Sequence, residues 1–118
     1  MIKVYVAGAY SANNVIDVLQ NIGRGEEYAA RLFAIGFAPF CPWHDKSYAM
    51  ILHGFKFTVK DFQDFSIAWL KVSDCVFLVP GWEESEGTTK EIELAEQLNI
   101  PVFKSTKKLL HFKRQREA

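Results

Sequence analysis

Residues 2–7 are apolar almost without a break: Ile2, Val4, Tyr5, Val6 and Ala7 lead to Gly8. A short continuous run rich in β-branched residues predicts a buried strand. From 14 to 35 the apolar positions take helical spacing, with Val15, Val18, Leu19 and Ile22, then Ala29, Leu32 and Phe33. Gly23 and Gly25 interrupt that pattern, which leaves two helices or one kinked helix open. Asn13 or Asn14 offers the N-cap, and Gly36 the stop. Phe37–Cys41 reads as a second strand, closed by Pro42. Residues 43–58 carry Trp43, Tyr48, Phe55 and Phe57 with no clean period. They read as a long loop with room for one helical turn, and loops of that length often act as lids. Residues 59–72 are helical again, with Phe62, Phe65, Trp69 and Leu70 on one side. Cys75–Val79 is the most apolar strand, and 80–87 is rich in turn residues. Thr88–Leu98 predicts a helix with Thr88 as cap and Glu91 in its first turn. Asn99 ends it, and Ile100–Phe103 makes a last strand.

The resulting order is β-α-β-loop-α-β-α-β. Alternation with short apolar strands predicts an α/β fold. Its form is a three-layer, doubly wound (Rossmann-like or flavodoxin-like) parallel sheet of four to five strands with helices on both faces. Ligands of such sheets sit beyond the carboxyl ends of the strands. Gly8–Asn14, Cys41–Asp45 and Pro80–Glu91 occupy those positions.

Composition adds bounds. The chain has 118 residues, 49% apolar and 24% charged, which fits a single folded domain and excludes a disordered class. Two cysteines cannot build a disulfide framework or a zinc cluster. No apolar run reaches the ~20 residues of a membrane span. The opening MIKVYVAGAYS enters the strand pattern directly, so no secretory signal and a cytoplasmic location are expected. Fourteen basic and fourteen acidic residues cancel. The cancellation hides an asymmetry. Residues 104–118 hold six basic residues and Glu117, net +5, which leaves residues 1–103 with eight basic and thirteen acidic, net −5. The division expected is a domain over 1–103 and a solvated basic tail over 104–118. The acidic body argues against nucleic acid as a partner.

The strand-end segments carry the chemistry. Gly8-Ala9-Tyr10-Ser11 is neither GxGxxG nor a Walker loop. Its N–H groups and hydroxyl can hold one phosphate, although a plain strand-to-helix turn is the more common explanation of such a segment. Ser85 and Gly87 lie where free N–H groups favour an anion. Glu91, one turn further on, can face the same cavity or simply complement the helix dipole. Asp64, on the helix over 59–72, is a second carboxylate for an acid role beside a nucleophile. Asp74 reads as a structural cap. His44 and His53 lack metal-ligand spacing, and neither HExxH nor CxxC occurs, so no metal and no cofactor are expected. Cys75 reads as buried and inert, and Cys41 as partly exposed with no base assigned to it.

VYVAGAYS, the second strand's Gly-Phe-x-Pro-Phe-x-Pro, and SDCVFLVPGWEESEGTTKEIELAEQLNIPVF together resemble the nucleoside 2-deoxyribosyltransferase superfamily, which includes the 2′-deoxynucleoside 5′-phosphate N-hydrolases. The likeness covers about residues 2–103. It is especially similar to a small phage-associated branch with the motif Gly-Trp-Glu-x-Ser-x-Gly. The resemblance implies that Glu91, followed by Ile92 and Ala95, is the nucleophile. It would attack the anomeric carbon, displace the base and form a glycosyl ester, which water or a second base resolves. Six residues earlier, transferases acting on free nucleosides carry an aspartate for the 5′-hydroxyl, whereas the 5′-phosphate hydrolases carry serine. Ser85 stands there. A carboxylate would repel phosphate, while a hydroxyl and the Gly87 N–H can donate to it. Gly8, Tyr10 and Ser11 match the other side of the sugar-phosphate site. Trp82, with Trp43 and Tyr48, can stack on the base or pack in the core. Relatives are commonly dimers or larger.

One position departs. The family places an aspartate eight residues before the strand-leading aspartate, and counting back from Asp74 gives Ser66. Asp64 lies two residues earlier, about 200° away around a helix. Either Asp64 reaches the site or the acid is missing. The favoured reading is an N-glycosidase acting on a (deoxy)nucleoside 5′-monophosphate. Base exchange on free nucleosides and a non-catalytic nucleotide-binding role are the alternatives.

Overall fold

The computed structural model describes residues 1–117. Strand β1 (Lys3–Ala7) leads into α1 (Val15–Ala34), and β2 (Ala38–Phe40) follows. A 3-10 turn (Pro42–Asp45), α2 (Lys46–Ile51) and α3 (Val59–Lys71) connect to β3 (Cys75–Leu78). A second 3-10 turn (Trp82–Glu84), α4 (Glu86–Gln97), β4 (Val102–Phe103) and α5 (Thr106–Glu117) complete the order. The four strands form one parallel sheet in the order β2-β1-β3-β4. The α/β architecture expected from the pattern is therefore the one observed, with four strands.

Strand alternation divides the core in two. Ile2, Val4, Val6, Cys75, Phe77 and Val79 face a cluster that includes Ile22 and Leu32 of α1 and Leu109 of α5. Tyr5, Ala7, Val76 and Leu78 face the other way, toward Leu70 of α3 and Ala95 of α4.

Several local outcomes settle or depart from the sequence pattern. Residues 15–34 are one helix, capped by Asn14, whose side chain accepts from the Asp17 N–H. Gly25 is there for packing: a Cβ on it would lie 1.8 Å from Trp43 Cζ3, so the indole ring fills the space a side chain would need. Val15, Leu19 and Phe33, placed on the apolar stripe by spacing, are exposed. The aromatic stretch after β2 holds α2 as well as a 3-10 turn, more helix than one turn.

The expected solvated tail is mostly the helix α5. Leu109 is fully buried, and Leu110 and Phe112 pack against the same cluster. Phe112 meets Phe103 at 5.1 Å between ring centroids. Arg116 reaches Asp74 at 3.4 Å, and Asp74 also accepts from the Lys3 N–H at 2.8 Å. Five of the six basic residues therefore lie along a helix whose apolar side packs on the core, which a net-charge count cannot reveal.

Candidate active site

In this sheet the connections from β1 and β3 run to opposite sides, so their carboxyl ends flank the switch point where α/β proteins bind ligands. The β1–α1 loop and the Pro80–Glu91 segment meet there. Gly8 leaves β1 in close contact with its neighbours, and a Cβ on it would stand 3.0 Å from Val79 Cβ and 3.4 Å from the Trp43 ring. Its carbonyl accepts from the Thr88 hydroxyl at 3.0 Å. That bond fixes the loop to the first turn of α4.

The helix α4 begins two residues before the expected Thr88. Ser85 is the N-cap and its hydroxyl oxygen accepts from the Thr88 N–H at 3.1 Å. Thr88 is buried. The Ser85 hydroxyl proton stays available to an incoming acceptor, and the Gly87 N–H belongs to the unsatisfied first turn. Both groups face an anion-favouring helix end.

Glu91 sits one turn inward, half-buried, and accepts a hydrogen bond from the Tyr5 hydroxyl. Burial pushes its carboxyl up to about 7, and the Tyr5 bond restrains that rise. Burial also drives the Tyr5 phenol upward, reinforced by the negative charge of Glu91. Tyr5 thus stays a neutral donor at any pH the protein meets. The Ser66 hydroxyl on α3 acts on Tyr5 as well, easing the rise of its phenol. Ser66, Tyr5 and Glu91 form a chain of polar groups across the α3–β1–α4 layer.

Asp64 is elsewhere. Its carboxylate pairs with Lys60 at 2.6 Å, with side chains 60% and 79% exposed. It lies two residues from Ser66 on the same helix, and that rotation carries it into solvent. The expectation that Asp64 supplies the second carboxylate is therefore corrected. Cys41 is buried rather than partly exposed, and Cys75 is buried with its thiol pushed up to about 12 by desolvation. Among the described residues no group of three or more His, Cys, Asp or Glu side chains is placed to hold a metal ion.

The aromatic candidates separate. Trp43 is core, under Gly8 and Gly25. Trp82 packs against the Tyr5 cluster, with the Lys104 ammonium 5.1 Å from its ring centroid. Tyr48 is half exposed and meets Phe65 edge-on at 5.8 Å. Tyr10 stands exposed on the loop rim, its carbonyl accepting from Asn21 Nδ2 at 3.2 Å. Ser11 is exposed beside it.

Two residues near Glu91 carry no motif in the sequence. Tyr5 reads only as part of a strand. A tyrosine in a fully buried strand needs a partner for its hydroxyl, and that was the available signal. Asp45 follows β2, and its charge raises both the Tyr5 and the Tyr10 phenols. The segment Cys41–Asp45 belongs to the ligand end of the sheet, but nothing in its spacing singles out the aspartate.

A family model described as "Domain of unknown function (DUF4406)" matches residues 2–104. No curated protein sequence matches the chain. Among solved structures, the fold is similar to that of a 2-deoxyribosyltransferase from the psychrotolerant bacterium Bacillus psychrosaccharolyticus. The TM-score is 0.58 at 21% identity, over 85% of this chain and 69% of that one. At that identity the likeness is one of fold. No helix of the described residues is long and apolar enough to cross a membrane.

Proposed function

The chain belongs to the DUF4406 family, and we propose that this member is an N-glycosidase that cleaves the base–sugar bond of a (deoxy)nucleoside 5′-monophosphate. The observation that carries this reading is the Glu91 carboxylate, desolvated at the switch point and held by the Tyr5 hydroxyl. A carboxylate whose proton leaves near neutrality is more basic than a surface one, and so a better nucleophile while still ionised at working pH. The Gly-Trp-Glu-x-Ser-x-Gly motif over 81–87 supports a place in the small branch of the deoxyribosyltransferase superfamily.

In the reaction, a Glu91 oxygen forms a bond to the anomeric carbon as the carbon–nitrogen bond breaks. The electron pair leaves with the base, which takes up a proton. Water then attacks the same carbon, the ester bond returns its pair to Glu91, and the proton of water is released. Two displacements give net retention. The Ser85 hydroxyl, the Gly87 N–H and the Ser11 hydroxyl hold the phosphate, with Gly8 and Tyr10 shaping that side. Ser66 supports Tyr5 rather than acting on substrate.

Base exchange on free nucleosides is the second reading, favoured by the fold shared with a 2-deoxyribosyltransferase. The test is release of free base from a panel of nucleosides and 5′-monophosphates, with and without an acceptor base. Release from monophosphates in water that Glu91→Gln abolishes supports hydrolysis. Turnover of free nucleosides only with an acceptor supports exchange. If neither yields base, both enzyme readings fail.

A further inference from the structure

On the α1 side of the β1–α1 loop lies an open polar cleft of about 530 Å³. It opens between that loop and the turn before α4. Ser11 forms one lip, and Glu84, adjacent to Ser85, the other. It therefore borders the place where Ser11, Ser85 and Gly87 present their donors. Hydrolysis at Glu91 makes no use of it.

The lining is chemically selective. Asn13, Gln20 and Asn21 bring amides that both donate and accept. Asn21 spends one N–H on the Tyr10 carbonyl, which fixes its orientation. Asp17 and Glu84 bring carboxylates, which accept from hydroxyls and repel further anions. Arg24 is the only cation in the lining. A free polyphosphate fits this wall poorly, because two carboxylates oppose it against one guanidinium. A hydroxyl-rich group joined through a single additional phosphate matches it: hydroxyls to the amides and carboxylates, phosphate to Arg24.

We propose that this cavity is a second subsite, which takes a sugar linked through a diphosphate to the 5′ carbon of the nucleoside. The inference rests on the Glu91 reading and refines its substrate class. The monophosphate is the minimal substrate and a nucleoside diphosphate sugar the preferred one.

Three pairs of probes span base and sugar type: AMP with ADP-ribose, UMP with UDP-glucose, and dTMP with dTDP-glucose. Binding to the Glu91→Gln variant is measured by calorimetry, and base release by the unaltered protein. For at least one pair the extended nucleotide binds tenfold or more tightly than the monophosphate. Arg24→Ala in the Glu91→Gln background brings that ratio below threefold. Arg24 is exposed in mid-helix, where alanine is favoured, and circular dichroism verifies the fold. Ratios near one for all three pairs, a ratio that Arg24→Ala leaves intact, or no binding of any probe overturns the subsite. Base release from monophosphates with ratios near one leaves the Glu91 reading standing and removes only the subsite. A clear ratio without base release from any probe does the reverse.

Discussion

On the side of α1 and α5, the strands point Val4, Val6, Cys75, Phe77 and Val79 into a layer closed by Ile22, Leu32, Phe37 and Leu109. The only ionisable side chains in that buried cluster are two thiols. On the side of α3 and α4, alternate residues of the same strands include Tyr5, and its hydroxyl meets a carboxylate. One face gains stability from each apolar group it hides, on the order of 25 cal/mol per Å². The other carries a buried acid whose ionisation weakens the fold. A buried acid and its cost thus sit against Tyr5, one residue along β1 from the driest part of the core.

The largest expected effect is that of Glu91→Gln. Base release falls by about 10⁴-fold or more, as when a nucleophile is removed. The same change removes a pH dependence of stability. Glu91 is raised from 4.5 to about 7 in the folded state. Between those values the unfolded chain gives up the proton while the folded chain keeps it. The stability held below pH 4.5 therefore declines as pH rises to about 7, by on the order of 3 kcal/mol. Urea unfolding at pH 5 and pH 8 should show that decline in the natural protein and a smaller one in the variant. Equal slopes would mean that Glu91 is not the buried acid described.

On the opposite face, Leu109→Ala should lower stability by about 2–5 kcal/mol, with base release per folded molecule unchanged. A loss under about 0.5 kcal/mol in the same denaturant titration would return α5 to the status of a loose tail.

Tyr5→Phe acts on the contact between the two regimes. Losing the phenol costs about 1 kcal/mol of stability. It also removes the bond that restrains Glu91, so the acid limb of the rate profile moves to higher pH. Activity should fall several-fold near pH 6.5 and little at pH 9. A uniform loss across pH would give Tyr5 a different part.

Asp64→Asn should do least. Its pair with Lys60 is exposed, so stability changes by no more than about 0.5 kcal/mol and base release by less than twofold. A loss of tenfold or more would bring Asp64 back to the site.

The parallel α/β sheet was legible because strands hidden on both faces must be nearly continuous in apolar residues, as 2–7 and 75–79 are. The unity of α1 was not, since Gly25 looks like a helix weakness until the Trp43 ring is seen against it. Nor was α5: Leu109, Leu110 and Phe112 stand among lysines and arginines, and the charge count outweighed three apolar positions. Around α4, Ser85 and Gly87 stand out because helix N-terminal chemistry is local in sequence, while Glu91 is singled out by the family resemblance. The partner of Glu91 could not be named, because Tyr5 lies 86 residues away and only the register of β1 beside β3 brings it near. Ser66 was named by counting back from Asp74, and helix rotation placed it toward Tyr5 and Asp64 toward water.

The Thr88 hydroxyl and the Gly8 carbonyl are 80 residues apart and joined by a buried bond. This clasp holds the two sides of the strand-end cleft together before a guest arrives, with a net worth of about 1 kcal/mol. Capture there should proceed without a slow rearrangement. Differences among guests should then appear in how long each one stays rather than in how fast it arrives.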